Sequence, residues 1–227
     1  MRYLADPVSH LLALATTSST LPSRRTIVGL AGLPGSGKST AAASWAQAVN
    51  AIAGEGTVVA LGMDGFHLPR AALARMPDPA AALARRGSPW TFDAPALAQR
   101  LHALRDTSDT VYWPDFAHNV GDPVPDAIAI GPQTRLVLVE GLYLLHREHG
   151  WNLAGQLDEC GYLDVPMDLA MHRLSARHQA AWGFTPEQAE ARLAANDRLN
   201  ADIVAGDAVR ADWRVSPPYI DASSIAR

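Results

Sequence analysis

A glycine-rich stretch, GLPGSGKST, carries the clearest chemical potential in this sequence. It satisfies the pattern G-x-x-x-x-G-K-[ST] through Gly32, Gly37, Lys38 and Ser39. An apolar run at 26–31 precedes the motif and an alanine-rich run at 41–53 follows it, which predicts the strand–loop–helix context that phosphate binding requires. The candidate ATP-binding residues are therefore Gly32, Leu33, Pro34, Gly35, Ser36, Gly37, Lys38, Ser39 and Thr40.

Lys38 is the only lysine among the 19 lysine and arginine residues of the chain. An ammonium is a compact point charge and a guanidinium is a wide planar one, so this single lysine indicates a position where arginine will not serve. We assign Lys38 a catalytic role at the β- and γ-phosphates. The same count excludes the guanine-specific GTPases, whose base-reading motif is Asn-Lys-x-Asp.

Two carboxylates follow predicted strands. The apolar run 136–139 ends in Glu140, and the run 57–63 ends in Asp64. In a parallel sheet both would face the crevice of the phosphate-binding loop. We therefore predict that Glu140 and Ser39 hold Mg²⁺ and that Asp64 accepts a proton from a substrate hydroxyl. The alternatives are a strand-terminal glutamate at the surface and a β-turn at Asp64-Gly65.

The combination of GLPGSGKST, DGFH and LVLVEG resembles the P-loop kinases of the uridine kinase, phosphoribulokinase and bacterial pantothenate kinase group. Within that group it most resembles small bacterial kinases of the fructose-transport or nucleoside kinase-like type. The resemblance covers roughly residues 24–205. It implies transfer of the ATP γ-phosphoryl group to a hydroxyl of a sugar, a nucleoside or a pantothenate-like alcohol, with the aspartate at position 64 as base.

The stretch 68–126 is predicted to bind the phosphate acceptor. Aromatic side chains concentrate there, and flat rings suit stacking against a sugar or a base. Resemblance to the group implies that His118 contacts the acceptor, although Ala117 stands where related sequences often carry an acid. The candidate acceptor-binding residues are His67, Trp90, Phe92, Tyr112 and His118. For each single ring, the hydrophobic interior of the insert is an equal alternative.

A helix–turn–helix is predicted near 173–200. Arg173 and Arg177 share one helical face at i, i+4, and Thr185 with Gln188 forms a capping box at the start of the next helix. This pattern resembles the mobile lid of the kinase group, which implies that the two arginines reach the phosphates and act in catalysis. A solvated arginine face is the alternative. His146-x-x-His149 lacks a third ligand of sensible spacing and is interpreted as a polar surface turn.

These residues require an α/β architecture, and we predict one P-loop domain over 1–227 with a parallel sheet, helices on both faces and a helical lid. The net charge of −4 argues against a nucleic-acid partner, and no apolar run is long enough for a membrane span. The single cysteine fits a cytoplasmic protein. Residues 2–16 are predicted to form an amphipathic helix, and a homodimer stays open.

Two other functions remain compatible with the motifs. A regulatory protein would bind the nucleotide and phosphorylate no acceptor. A nucleotide hydrolase would turn ATP over without stimulation by any hydroxyl compound. Asp64 and the aromatic insert favour a kinase that uses a small-molecule acceptor.

Overall fold

The computed structural model describes residues 2–18, 24–106, 108–117, 120–153 and 155–216. Eight strands lie in these ranges: β1 (Arg2–Tyr3), β2 (Thr26–Gly32), β3 (Val58–Gly62), β4 (Val111–Ala117), β5 (Asp122–Ile130), β6 (Leu136–Gly141), β7 (Glu159–Leu163) and β8 (Trp213–Val215). Six of them form a parallel sheet in the order β1-β8-β7-β2-β6-β3. Strands β4 and β5 form a separate antiparallel pair.

The centre of the parallel sheet is apolar because it is covered on both faces. β2 and β6 read TIVGLAG and LVLVEG, and almost every residue of both strands is buried. Continuous apolar runs of this kind are typical of parallel strands with helices on either side. The predicted strands at the phosphate-binding motif and before Glu140 are thus confirmed within a residue of their expected ends.

The helices are α1 (Pro7–Ser18), α2 (Lys38–Ala53), α3 (Arg70–Leu73), α4 (Pro79–Ala84), α5 (Ala94–Leu104), α6 (Met167–Trp182), α7 (Pro186–Arg192) and α8 (Arg198–Asp207). α1 and α2 pack together over β2 and β6, and α8 contacts β2. The expected helix over 2–16 is partly wrong, because Arg2–Tyr3 pairs with β8 as an edge strand and the helix begins at Pro7.

The insert between β3 and β6 combines short helices with the hairpin β4–β5. Asp93 caps α5 as its position before Ala94-Pro95 predicts, since its carboxylate accepts a hydrogen bond from the Ala96 amide at 2.9 Å. The sequence analysis did not predict the hairpin. Its strands contain three prolines and little apolar alternation, so the usual strand signal is weak there.

The predicted helix–turn–helix is present. α6 ends at Gly183, which has a φ of 66°, and α7 begins with the expected capping box of Thr185 and Gln188. A π-helical turn, Leu193–Asp197, joins α7 to α8. No helix within the described ranges is both long and apolar enough to cross a bilayer.

Candidate active site

The phosphate-binding loop lies between the carboxyl end of β2 and the first turn of α2. Gly35 and Gly37 have φ values of 78° and 89°, in the left-handed region that suits glycine. Gly35 also lies against α6, where an added Cβ would come within 2.2 Å of the Ala170 carbonyl oxygen. The loop is thus held between the sheet and α6 in a shape that other residues would strain.

The polar groups of this loop are suited to bind the phosphates of a nucleoside triphosphate. Among the described residues the Ser36 hydroxyl is buried and has no hydrogen-bond partner, so the loop holds a polar group that a ligand oxygen would satisfy. Lys38 Nζ donates to the Leu33 carbonyl at 3.4 Å, which bends the ammonium back over the loop. α2 begins at Lys38 and turns its amino-terminal dipole toward the same space.

Glu140 lies beside the loop at the end of β6. It is in register with Leu30 of β2 and Gly62 of β3, and its Oε1 accepts a hydrogen bond of 2.9 Å from the Ser39 hydroxyl. Burial raises the pKa of Glu140, the Asp64 carboxylate raises it further, and Lys38 and Ser39 lower it. A hydroxyl and a desolvated carboxyl group held together supply the oxygen ligands that Mg²⁺ prefers.

Asp64 lies in the turn Met63–Phe66 that follows β3. Gly62, two residues earlier, pairs with Glu140, so the two carboxyl groups lie at the same end of adjacent strands, and the Asp64 charge raises the pKa of Glu140. The turn is fixed by the hairpin β4–β5: Trp113 Nε1 donates to the Gly62 carbonyl at 2.9 Å, and a Cβ at Gly65 would lie 2.1 Å from the Pro114 carbonyl oxygen. Asp64 therefore lies in a tight turn that the hairpin holds at the carboxyl end of β3.

His67 extends the site beyond Asp64. Its Nδ1 lies 2.9 Å from the Asp64 carbonyl oxygen, and its ring contacts Phe92 at 3.9 Å and Phe116 at 4.8 Å between centroids. Phe92 is only 6% exposed and meets Tyr143 edge to face. Phe92 therefore supports His67 from the core and offers little surface to a ligand, which favours the alternative of a hydrophobic interior for this ring.

The structure does not bring all the candidate acceptor residues together. Trp90 is 37% exposed in the turn Pro89–Thr91, two residues before Phe92. Tyr112 is 49% exposed and extends from the face of β4 opposite to Trp113, because neighbouring strand residues alternate. Its ring therefore lies away from Asp64. The prediction for His118 lies outside the described residues.

Sequence reasoning missed Arg86, which links separate parts of the insert to one another. Its guanidinium lies 5.5 Å from the centre of the Phe116 ring, and it donates to Asp122 at 2.8 Å and to the Leu68 carbonyl at 3.2 Å. Arg85 and Arg86 begin the stretch RRGSPWTFD, residues 85–93. The sequence alone does not indicate which groups an arginine in such an insert contacts.

The two candidate arginines of α6 differ in position. Arg173 donates to the Ser36 carbonyl at 3.5 Å and so reaches the phosphate-binding loop. Arg177, one turn further along, is exposed and makes no hydrogen bond or ion pair with the residues that the structure describes. The second guanidinium therefore lies one turn beyond the contact of α6 with the loop.

Known proteins are similar to this chain in sequence and in fold. No family model matches the chain. Over 193 residues the chain is 39% identical to a candidate uridine kinase of Schizosaccharomyces pombe, and the match spans 83% of this chain and 82% of that protein. The chain belongs to the uridine kinase-like family of P-loop kinases. An ATP-dependent kinase-like protein of Aspergillus versicolor is 45% identical over 147 residues, which is 62% of this kinase and 85% of that protein.

Solved structures agree with this assignment. A candidate fructose transport system kinase from Silicibacter sp. TM1040 matches the kinase with a TM-score of 0.76 and 32% identity, over 92% of this chain and 98% of that chain. Phosphoribulokinase from Rhodobacter spheroides shares the fold, with a TM-score of 0.64 and 19% identity over 88% of this chain and 73% of that chain. The predicted P-loop kinase fold is therefore confirmed, and the protein is an ATP-dependent kinase.

Proposed function

We propose that this kinase transfers the γ-phosphoryl group of ATP, with Mg²⁺, to a hydroxyl group of a small molecule such as a sugar, a nucleoside or a pantothenate-like alcohol. The observation that carries the proposal is the position of Asp64 in the turn that follows β3. Gly62 of β3 pairs with Glu140, and the same turn leads into His67 and its aromatic contacts. A nucleotide switch has no need of a base beside the phosphate loop, and a hydrolase, whose base activates water, has no need of the aromatic side chains that follow it.

The residues divide the work by their chemistry. The loop amides and Lys38 bind the β- and γ-phosphates and stabilise the charge that develops there. Ser39 and Glu140 hold the cation through oxygen. When bound, Mg²⁺ neutralises phosphate charge and orients the transferring group. Arg173 adds a second cation from α6, and Arg177 lies one turn further along the same helix.

Asp64 acts on the acceptor. Its carboxylate accepts the proton of the hydroxyl as the oxygen attacks phosphorus, a step worth roughly 10²–10⁴ in rate. His67 is proposed to orient the acceptor through its imidazole, with Trp90 forming the exposed side of the pocket. Positioning and electrostatic stabilisation supply the larger part of the acceleration.

The test is a screen of sugars, nucleosides and vitamin alcohols for ADP release, followed by Asp64→Asn with the best acceptor. We expect the substitution to lower kcat by about 10²–10⁴-fold while the Kd for ATP changes less than a few-fold, because the amide cannot take the proton. Asp202→Asn, an exposed aspartate on α8, is the control. Steady ATP hydrolysis that no alcohol stimulates, or ATP binding without any turnover, would contradict the proposal.

A further inference from the structure

The connection between β6 and β7, residues 142–158, contains a buried histidine that the phosphoryl-transfer site does not use. His146 is 5% exposed, and its Nδ1 lies 2.7 Å from Asp207 Oδ2 at the end of α8. Arg210 also pairs with Asp207 and holds its carboxylate in place. The other ring nitrogen of His146, Nε2, is buried and has no hydrogen-bond partner among the described residues.

A buried polar atom without a partner needs a physical explanation. A carboxylate accepts from an imidazole nitrogen, so Nδ1 is the donor to Asp207, and in the neutral ring the lone pair then lies on Nε2. This is the arrangement of metal-bound histidines, in which a carboxylate holds the distal N–H and the opposite nitrogen binds the ion. The pairing of His146 with Asp207 is therefore an outer support that a ligand histidine requires.

Two further ligands lie beside His146. Glu148 and His149 are exposed, and one ligating atom from each of the three residues lies within 4.8 Å of the others. The backbone turns back at this point, since His149 has a φ of 52° and Gly150 a φ of 84°. The His146 and His149 rings stack with their centroids 5.9 Å apart. The expectation of a polar surface turn is wrong for His146, because sequence spacing does not reveal its burial.

The donor set selects the ion. Two imidazole nitrogens and one carboxylate oxygen suit Zn²⁺, which binds such atoms at about 2.0–2.2 Å and leaves a fourth position for water. Mg²⁺ prefers oxygen ligands throughout and so fits these residues poorly. The two exposed side chains, Glu148 and His149, are free to close the remaining distance around the ion while His146 stays fixed by Asp207.

We propose that His146, Glu148 and His149 form a Zn²⁺ site within the β6–β7 connection, supported through His146 by Asp207 at the end of α8. The site shares no residue with the phosphate-binding loop, Glu140 or Asp64. Its role is to fix the segment that follows the strand of Glu140, so zinc stabilises the folded chain by binding it in preference to the unfolded chain. The proposal stands independently of the identity of the phosphate acceptor.

The experiment titrates ZnCl₂ into the chelator-treated full chain at pH 7.5, without nucleotide, by calorimetry. We expect one equivalent of zinc to bind and the melting temperature to rise. His149→Ala and Glu148→Gln should each weaken binding by at least about tenfold, and Asp207→Asn by about 10–100-fold. Co²⁺ should give visible absorption bands in the original protein and lose them in His149→Ala.

His102→Ala is the matched control, because it removes an exposed histidine on α5 and should leave zinc affinity unchanged. Glu148 and His149 are exposed, so their variants should fold, and circular dichroism checks this. Zinc binding that is equal in the original protein, His149→Ala and Glu148→Gln would overturn the proposal, as would the absence of binding at micromolar zinc. Neither outcome depends on kinase activity.

Discussion

At the scale of single residues, Glu140 is a buried carboxyl group whose ionisation is unfavourable unless a cation is bound beside it. Burial raises its pKa, and the Asp64 charge adds to that effect, although Lys38 and the Ser39 hydroxyl oppose it. A carboxyl group with a raised pKa keeps its proton to a higher pH in the folded chain than in the unfolded chain. Ionisation of Glu140 therefore lowers the free energy of unfolding, and a cation bound beside the carboxylate offsets that loss.

We predict opposite effects of Glu140→Gln on stability and on turnover. The folded chain binds more protons at Glu140 than the unfolded chain does, so this residue costs stability as the pH rises from about 4.5 through the higher folded-state pKa. The amide cannot ionise and still accepts from Ser39. The free energy of unfolding of the Glu140→Gln variant at pH 7.5, without nucleotide, should equal or exceed that of the original protein. The difference between the two proteins should vanish below pH 4.5.

Turnover should fall by roughly 10–100-fold at limiting Mg²⁺ in the same variant, because the amide is a poorer cation partner. Urea unfolding at several pH values and a Mg²⁺ titration of activity measure the two effects. Glu190→Gln, an exposed position on α7, should change neither. A Glu140→Gln variant with undiminished Mg²⁺ response would place the metal elsewhere.

Residues whose roles depend on neighbours in sequence could be predicted, and those whose roles depend on distant packing could not. The phosphate-binding loop, the Asp93 cap and the Thr185 capping box are all local patterns, and the structure contains each of them. Phe92 and Tyr112 belong to the second kind. Whether a ring faces the core, a ligand or solvent depends on strand alternation and on partners such as Tyr143 that no spacing reveals.

At the scale of elements, α6 is joined to the phosphate-binding loop by direct contact. Gly35 packs against the Ala170 carbonyl with no room for a Cβ, and Arg173 donates to Ser36 one turn later. The predicted lid is therefore continuous with a helix that already touches the loop. Movement of α7 and of the turn at Gly183 can occur about this fixed end.

We predict that Arg173→Ala lowers kcat more than it raises the KM for ATP. An arginine that reaches the transferring phosphoryl group contributes roughly 10³–10⁵ in rate, and loss of such a contact appears in kcat. Arg177→Ala should show the same pattern to a smaller extent, since that side chain is exposed. Steady-state kinetics of both variants beside His172→Ala, an exposed position on the same helix, measure this. Losses confined to ATP affinity would reduce both arginines to ground-state binding.

The hairpin β4–β5 could not be predicted from the sequence. Pro114, Pro123 and Pro125 interrupt the apolar alternation by which strands are recognised, and a register shift between Trp113 and Asp115 breaks the pairing. Its position depends on Trp113, which is fully buried and bonded to Gly62. A contact between an indole and the end of a strand 51 residues earlier is visible only in three dimensions.

At the scale of the whole molecule, the π-helical turn and α8 pack against residues 84–88 of the insert. Arg85 donates to Asn196 at 3.0 Å, to Asn200 at 3.3 Å and to Ser88 at 2.9 Å, and the two asparagines and the serine are all buried. Arg192 donates to the Ala84 carbonyl at 2.9 Å. Arg192, Asn196 and Asn200, which are spaced four residues apart, therefore bind the insert.

Arg85→Ala should destabilise the protein by about 1–3 kcal/mol, because it leaves the buried Asn196 side-chain oxygen without its donor. Urea unfolding measures the change. Arg198→Ala, whose side chain is 43% exposed and 4.0 Å from Glu190, should cost less than about 0.5 kcal/mol. Similar losses in the two variants would show that the network contributes no more than a surface ion pair.

The order of the strands has a consequence for how such kinases diversify. β2, β6 and β3 lie side by side, so the groups that handle phosphate stand on one rigid platform. The proposed acceptor residues stand on a hairpin and turns outside that platform, and Trp113 attaches the hairpin to the end of β3. The hairpin and its turns can therefore vary, and with them the proposed acceptor, while the strands that carry the phosphate-handling groups keep their order.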